Sequence, residues 1–316
     1  MRTLLAAVAA LALALAAHAQ TYPNRPITLV VPYTPGTGID ILARILSPKI
    51  SERWGQPVVV DNRPGASGNI GAALVAKAPA NGNTMMVAAN TFTVTPALYS
   101  SLQYDPIKSF TPTVQVATGN LALVAHPSLA VNNFQELTAA ANSKELTYAS
   151  PGSGTPQHLA MELLKQRLKV NILHVPYKGS AQAVTDLLGG QVQLAVLPVH
   201  TALPHAKAGR LKLIAVSGER RSLFAPDQPT FAELGLTNLD IDLYYFISGP
   251  AGLPREIVDK WNEEVTSILT LPEASEALMQ QGMVAAPSTP EALSQLIAND
   301  VQRWKTFVAE TGIKAD

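Results

Sequence analysis

Hydrophobic positions along the chain follow two alternating rhythms. Short runs rich in Val, Ile, Leu and Ala, of strand length, are followed by longer stretches whose apolar residues recur on one helical face. The short runs predict strands at 27–31, 58–61, 84–89, 121–126, 146–149, 171–175, 193–197 and 212–216. Between most of them lie helical stretches. Over 39–51 the residues Ile41, Leu42, Ile45 and Leu46 share a face, while Pro48 predicts a kink, or a restart capped by Ser47. A second amphipathic helix, 292–308, closes the chain. Alternation of this kind argues for βα units, an α/β class and mainly parallel sheets.

The first residues break the pattern. Met1-Arg2-Thr3 precedes a Leu/Ala/Val run over 4–17, then Ala17-His18-Ala19. A charged start, an apolar middle and an A-x-A site predict a secretory signal peptide over 1–19. The apolar run is short for a bilayer span, which needs about 20 residues, and no cysteine stands at the cut to make a lipoprotein. We therefore expect an exported, periplasmic protein in a compartment poor in nucleotide cofactors. No repeat or low-complexity tract follows.

Composition narrows the chemistry. The 316 residues are 47% hydrophobic, and 23 Lys plus Arg balance 23 Asp plus Glu. No net field exists to hold nucleic acid or an anionic membrane. With no cysteine the chain has no disulfide, zinc-thiolate site or thiol nucleophile. At this length two domains are expected. Since no Pro/Ser/Gly linker divides the halves, the chain should cross between them more than once, as it does where a ligand is clasped in an interlobe cleft.

Three glycine-rich loops follow strands and open helices. They are Pro32-Tyr33-Thr34-Pro35-Gly36-Thr37-Gly38-Ile39-Asp40, Asn62-Arg63-Pro64-Gly65-Ala66-Ser67-Gly68-Asn69-Ile70-Gly71 and Ser150-Pro151-Gly152-Ser153-Gly154-Thr155-Pro156-Gln157-His158. Backbone N–H groups and small hydroxyls at a helix start suit an anion such as a carboxylate. The same features also serve ordinary βα turns. A dinucleotide fingerprint fails because Ile41 stands where Gly or Ala is needed. Ser153 with His158 sketches a secreted serine-type hydrolase, yet lacks the G-x-S-x-G elbow. His200 and His205, five apart, miss the spacing for one metal-binding helix face. No cofactor or metal is expected.

Read together, these motifs resemble one family, the Bug receptors, the TctC-like periplasmic solute-binding proteins of tripartite tricarboxylate transporters. The resemblance runs from about Tyr22 to Ile313. It is carried by Tyr22-Pro23-x-Arg25-Pro26-Ile27, Asp40-Ile41-Leu42-Ala43-Arg44, the second and third loops, His174-Val175-Pro176-Tyr177-Lys178-Gly179-Ser180, Pro229-Thr230-Phe231-x-Glu233 and Pro250-Ala251-Gly252-x-Pro254. It implies a two-lobed periplasmic-binding-protein fold of type II character, each lobe a mixed sheet flanked by helices, closing on ligand by hinge motion. The implied division is 20–121 plus 248–316 for one lobe and 122–247 for the other. The protein would be a non-enzymatic, monomeric receptor that passes a small organic carboxylate to membrane permease subunits, or reports it to a sensor kinase of a two-component system.

Carried over by the resemblance, Tyr33, Pro35, Gly36, Thr37 and Asp40 form one wall of the cleft, and Ser150, Ser153, Gly154, Thr155 and His158 the other. Asn90 and Thr91 join the floor; Val175, Pro176 and Tyr177 sit at the mouth. Asp40 has a competing role in capping its helix, since a bare carboxylate repels an anion. His158 could equally bond back to its loop, Arg44 could act from behind, and Tyr177 could pack within the lobe. Two departures bear on specificity. Thr37 replaces the second glycine usual in the first loop. Leu197-Pro198 stands where relatives often carry an acidic residue and an asparagine, so the ammonium of an amino acid would go unpaired at a cost of several kcal/mol. Leu197 and the pair Tyr244-Tyr245 predict instead an apolar-bodied acid, a dicarboxylate or an aromatic carboxylate.

Overall fold

The computed structural model describes residues 22–99, 101–177, 179–236, 239 and 241–313. The expected signal peptide lies outside them. The fold is α/β with two sheets, one to each lobe. The first sheet has the order β11-β4-β10-β3-β1-β2, with β1 (Ile27–Val31), β2 (Val58–Asn62), β3 (Thr84–Ala89), β4 (Phe110–Gly119), β10 (Leu243–Pro250) and β11 (Met283–Ala285). The second has the order β7-β6-β8-β5-β9, with β5 (Leu121–Ala125), β6 (Leu146–Ser150), β7 (Ile172–Pro176), β8 (Leu194–Pro198) and β9 (Lys212–Val216).

Both sheets are mixed, which corrects the mainly parallel expectation. β1 pairs parallel with β2 and β3, and β6 with β7 and β8. β10 runs antiparallel between β3 and β4, β11 against β4, and β5 between β8 and β9. The pattern had missed β4, β10 and β11. Pro112 argues against a strand, and the ladder shifts register where it meets Ser248, which accommodates the proline. β10 belongs to no βα unit, although all eight of its residues are buried.

Helices cover each sheet on both sides. On the first sheet, α1 (Gly38–Trp54), α8 (Arg255–Leu269) and α9 (Pro272–Gln280) pack around Trp261 on one face. On the opposite face, α2 (Asn69–Ala76), α3 (Thr91–Leu98) and α10 (Pro290–Thr311) enclose Phe92, Phe110 and Phe246. On the second sheet, α4 (Phe134–Ser143) and α5 (Pro156–Leu168) cover one side, and α6 (Ser180–Leu188) and α7 (Val199–Lys207) the other. Pro48 does not divide α1, which continues to Trp54. The interior-proline cost of about 3 kcal/mol is offset because Leu42, Leu46 and Ile50, on both sides of it, are fully buried.

The chain passes from the first sheet to the second at Asn120 and returns ahead of Leu243. A division after residue 247 would cut β10, whose residues from Leu243 on pair within the first sheet. The crossings are tied together where Asn120 Nδ2 donates to the Ser217 carbonyl at 3.1 Å and to Asp242 Oδ1 at 3.2 Å, and Ser217 Oγ donates to the same carboxylate.

Candidate functional site

Parallel βα units deliver every helix start to the same edge of a sheet. Here both sheets turn that edge toward one cavity of about 500 Å3 between the lobes. Six helices begin at its wall: α1 with Gly38, α2 after Gly68, α3 with Thr91, α5 with Pro156, α6 with Ser180 and α7 after Pro198. The first N–H groups of a helix have no partner within it, and its dipole places partial positive charge there. Among the described residues no Asp, Glu, Lys or Arg lines the cavity. The site is therefore neutral in formal charge and positive in field.

Of the residues inferred for the site, Tyr33, Gly36, Thr37, Thr91, Thr155 and Leu197 line the cavity. The first loop is held from behind by Asp40, which is almost fully buried. It accepts the Gly36 N–H at 2.9 Å, the Asn62 Nδ2 group at 2.9 Å and Arg44 Nε at 3.0 Å. Burial pushes its carboxyl upward, but the Arg44, Gly36 and Asn62 hydrogen bonds outweigh that and hold it below the usual range. With its oxygens so engaged, Asp40 organises the loop and stays outside the lining; Pro35 lies outside it as well. Tyr33 donates to the Ser67 carbonyl at 3.2 Å, and burial pushes its phenol up to about 12.

The third loop divides the same way. Thr155 caps α5 by accepting the His158 N–H, and donates to the Gly152 carbonyl at 2.8 Å. His158 turns back: its Nδ1 accepts the Gly154 N–H at 2.9 Å and its ring stacks on His174 at 4.1 Å. Ser150 Oγ lies 2.7 Å from His174 Nε2. Ser150, Ser153, Gly154 and His158 thus stand outside the lining, as do Asn90, Pro176 and Tyr177. Tyr177 donates to Asp186 at 2.8 Å on α6. Asn90 Nδ2 donates to the Asp242 carbonyl at 3.0 Å, while its buried Oδ1 has no protein partner.

Several lining residues were not singled out for the site by sequence reasoning: Leu243 of β10, and His200 and Thr201 in the first turn of α7. Tyr245, also of β10, was named only within a pair. The tyrosine pair separates by strand alternation: Tyr245 faces the cavity, whereas Tyr244 donates to Asp300 at 2.9 Å beneath α10. His200 lies two residues past the strand end that draws attention to Leu197-Pro198, and that proximity was the available signal. Burial lowers its imidazole pKa. The two lobes touch at two glycines. A Cβ on Gly154 would lie 2.1 Å from Leu98 Cδ1, and one on Gly282 would lie 2.5 Å from His200 Cβ.

The profile of the tripartite tricarboxylate transporter family receptor, TctC, matches residues 42–313. A protein encoded in the tcbD-tcbE intergenic region of Pseudomonas sp. strain P51 is 38% identical over 93% of this chain and 89% of its own. Protein BugT of Bordetella pertussis is 34% identical over 97% and 95%. Among solved structures, R. palustris Rpa4515 with adipate is 33% identical and superposes with a TM-score of 0.85, covering 93% of this chain and 99% of the other. The chain is therefore a member of the TctC family of tripartite tricarboxylate transporter receptors, solute-binding proteins that are not enzymes.

Proposed function

We propose that this receptor is exported to the periplasm, where as a monomer it captures a small organic carboxylate with an apolar body, a dicarboxylate or an aromatic acid, and passes it to the permease subunits of a tripartite tricarboxylate transporter. The observation that carries the ligand class is the convergence of six helix starts on a cavity lined, among the described residues, by no acidic side chain. An anion gains from every one of those dipoles. An ammonium would lose, and Leu197-Pro198 offers it no partner. Tyr33, Ile39, Val184, Leu197 and Tyr245 provide the apolar walls, and the related R. palustris protein bears adipate.

Ligand bridging the lobes favours the closed arrangement through its greater affinity for that state. Export is supported by the Arg2, apolar and Ala17-His18-Ala19 pattern, and no helix among the described residues is long and apolar enough to cross a membrane. The test is a thermal-shift panel of protein stripped by unfolding and refolding. An acid at about 100 times its Kd adds about 2.7 kcal/mol, or about 4 to 5 °C for a chain of about 300 residues. We expect such a shift from succinate, adipate or benzoate and none from glutamate or aspartate. A shift from the amino acids alone would overturn the proposal.

A further inference from the structure

Among the described residues the lobe seam brings one basic side chain to the cavity wall. His200 is the second residue of α7, and it meets the first lobe where the backbone of Gly282 comes close enough that a Cβ there would lie 2.5 Å from His200 Cβ and 3.1 Å from its N. Among the described lining residues it is the one side chain able to carry a positive charge near neutral pH. We propose that His200 is the anion-reading residue of the second lobe: its imidazole hydrogen-bonds a carboxylate of the ligand, and capture of that ligand takes up a proton at the ring. The inference rests on the carboxylate reading above.

Without ligand, burial at the seam disfavours the imidazolium and lowers the pKa of the ring. Four titratable groups around the cleft are engaged elsewhere or protonated, and on α9, which leads into the Gly282 turn, Glu273 is paired with Lys49. From β10, Tyr245 is held protonated by burial, as is Tyr33 ahead of α1. Asp40 in the first turn of α1 is bonded to Arg44, Asn62 and the Gly36 amide. Asp242, beside the start of α7, is engaged by Asn120 and Ser217, and His205 lies further along α7 itself. A ligand carboxylate against the ring stabilises the charged form and raises its pKa. Affinity then rises as the pH falls through the liganded pKa, and levels off below the unliganded one. Each unit between the two is worth a tenfold change.

The test is calorimetry with adipate, succinate and benzoate at pH 5.5 and 7.5, in two buffers of different ionisation heat, on the wild-type protein, His200→Gln and His200→Ala. We expect the wild type to bind at least one acid, more tightly at pH 5.5, with net proton uptake. His200→Gln should lose the share of proton uptake and pH dependence that the ring contributes, leaving only that of the probe, and His200→Ala should weaken binding about ten- to a hundredfold. A probe whose proton uptake and pH dependence are the same in the wild type and in His200→Gln overturns this inference alone. A flat wild-type panel overturns the carboxylate reading and this inference with it. NMR keeps the question answerable if a variant folds poorly. The wild-type His200 ring signal should titrate below the ordinary imidazole value without ligand and move upward with a bound probe; no movement overturns the proposal.

Discussion

Asp40 illustrates how a residue that draws attention as a binding group earns its place by holding others. Its carboxylate is 3% exposed and gathers the Gly36 amide, Asn62 and Arg44, whereas the Arg44 side chain is 54% exposed. The two ends of this ion pair should therefore behave differently. Asp40→Ala removes the buried carboxylate that gathers the Gly36 amide, Asn62 and Arg44, and should cost about 1–3 kcal/mol with a marked loss of ligand affinity. Arg44→Ala should cost under about 1 kcal/mol, since water screens the exposed partner. Urea unfolding with ligand titration of both variants checks this. Because the folded Asp40 pKa is depressed, its stabilising effect is present above the ordinary carboxylate value near about 4 and is lost as the pH falls through the depressed one. The stability gap between wild type and Asp40→Ala should accordingly narrow as the pH falls from the ordinary carboxylate value through the depressed one.

At the scale of elements, the contact between α3 and the third loop couples the lobes. Gly154 sits at φ +79°, and the space where its Cβ would be is taken by Leu98 Cδ1. Gly154→Ala combines backbone strain of about 1–2 kcal/mol with a clash against a side chain that can move. It should lower ligand affinity more than melting temperature, because the clash is met only where the lobes approach. Leu98→Ala in the same chain should recover the steric part but leave the strain. A double-mutant cycle on adipate binding measures that coupling, and strict additivity of the two changes would deny it.

For the whole molecule, the last helix closes the first lobe although it arrives from the far end of the chain. Leu293, Ile297 and Val301 of α10 complete the cluster around Phe92 and Phe246, and Asp300 receives hydrogen bonds from Thr93 at 2.5 Å and Tyr244 at 2.9 Å. Three such apolar side chains bury about 1.5–3 kcal/mol each, comparable together to a typical domain stability of about 5–15 kcal/mol. A chain ending before Pro290 should lose the first lobe as a folded unit and accumulate insolubly. Soluble yield and near-ultraviolet circular dichroism would show it, and a soluble, fully cooperative truncation would contradict the account.

Local sequence sufficed for the α/β class, for eight of the eleven strands among the described residues to within a residue or two, for the glycine loops at the helix starts and for the ordered motifs of the family. These are properties of local periodicity and local chain geometry, and neighbours along the chain suffice to encode them. Tertiary structure decided the rest. Whether β10 pairs antiparallel at the centre of a sheet depends on partners more than a hundred residues away. Adjacent Tyr244 and Tyr245 are indistinguishable until the sheet has a cavity side and a helix side. Asp40, His158 and Tyr177 read as binding groups because their loops border the cleft, yet each points its polar atoms at its own lobe. His200 and Tyr245 reach the wall because two lobes meet there, and a surface shared between lobes leaves no period in either segment.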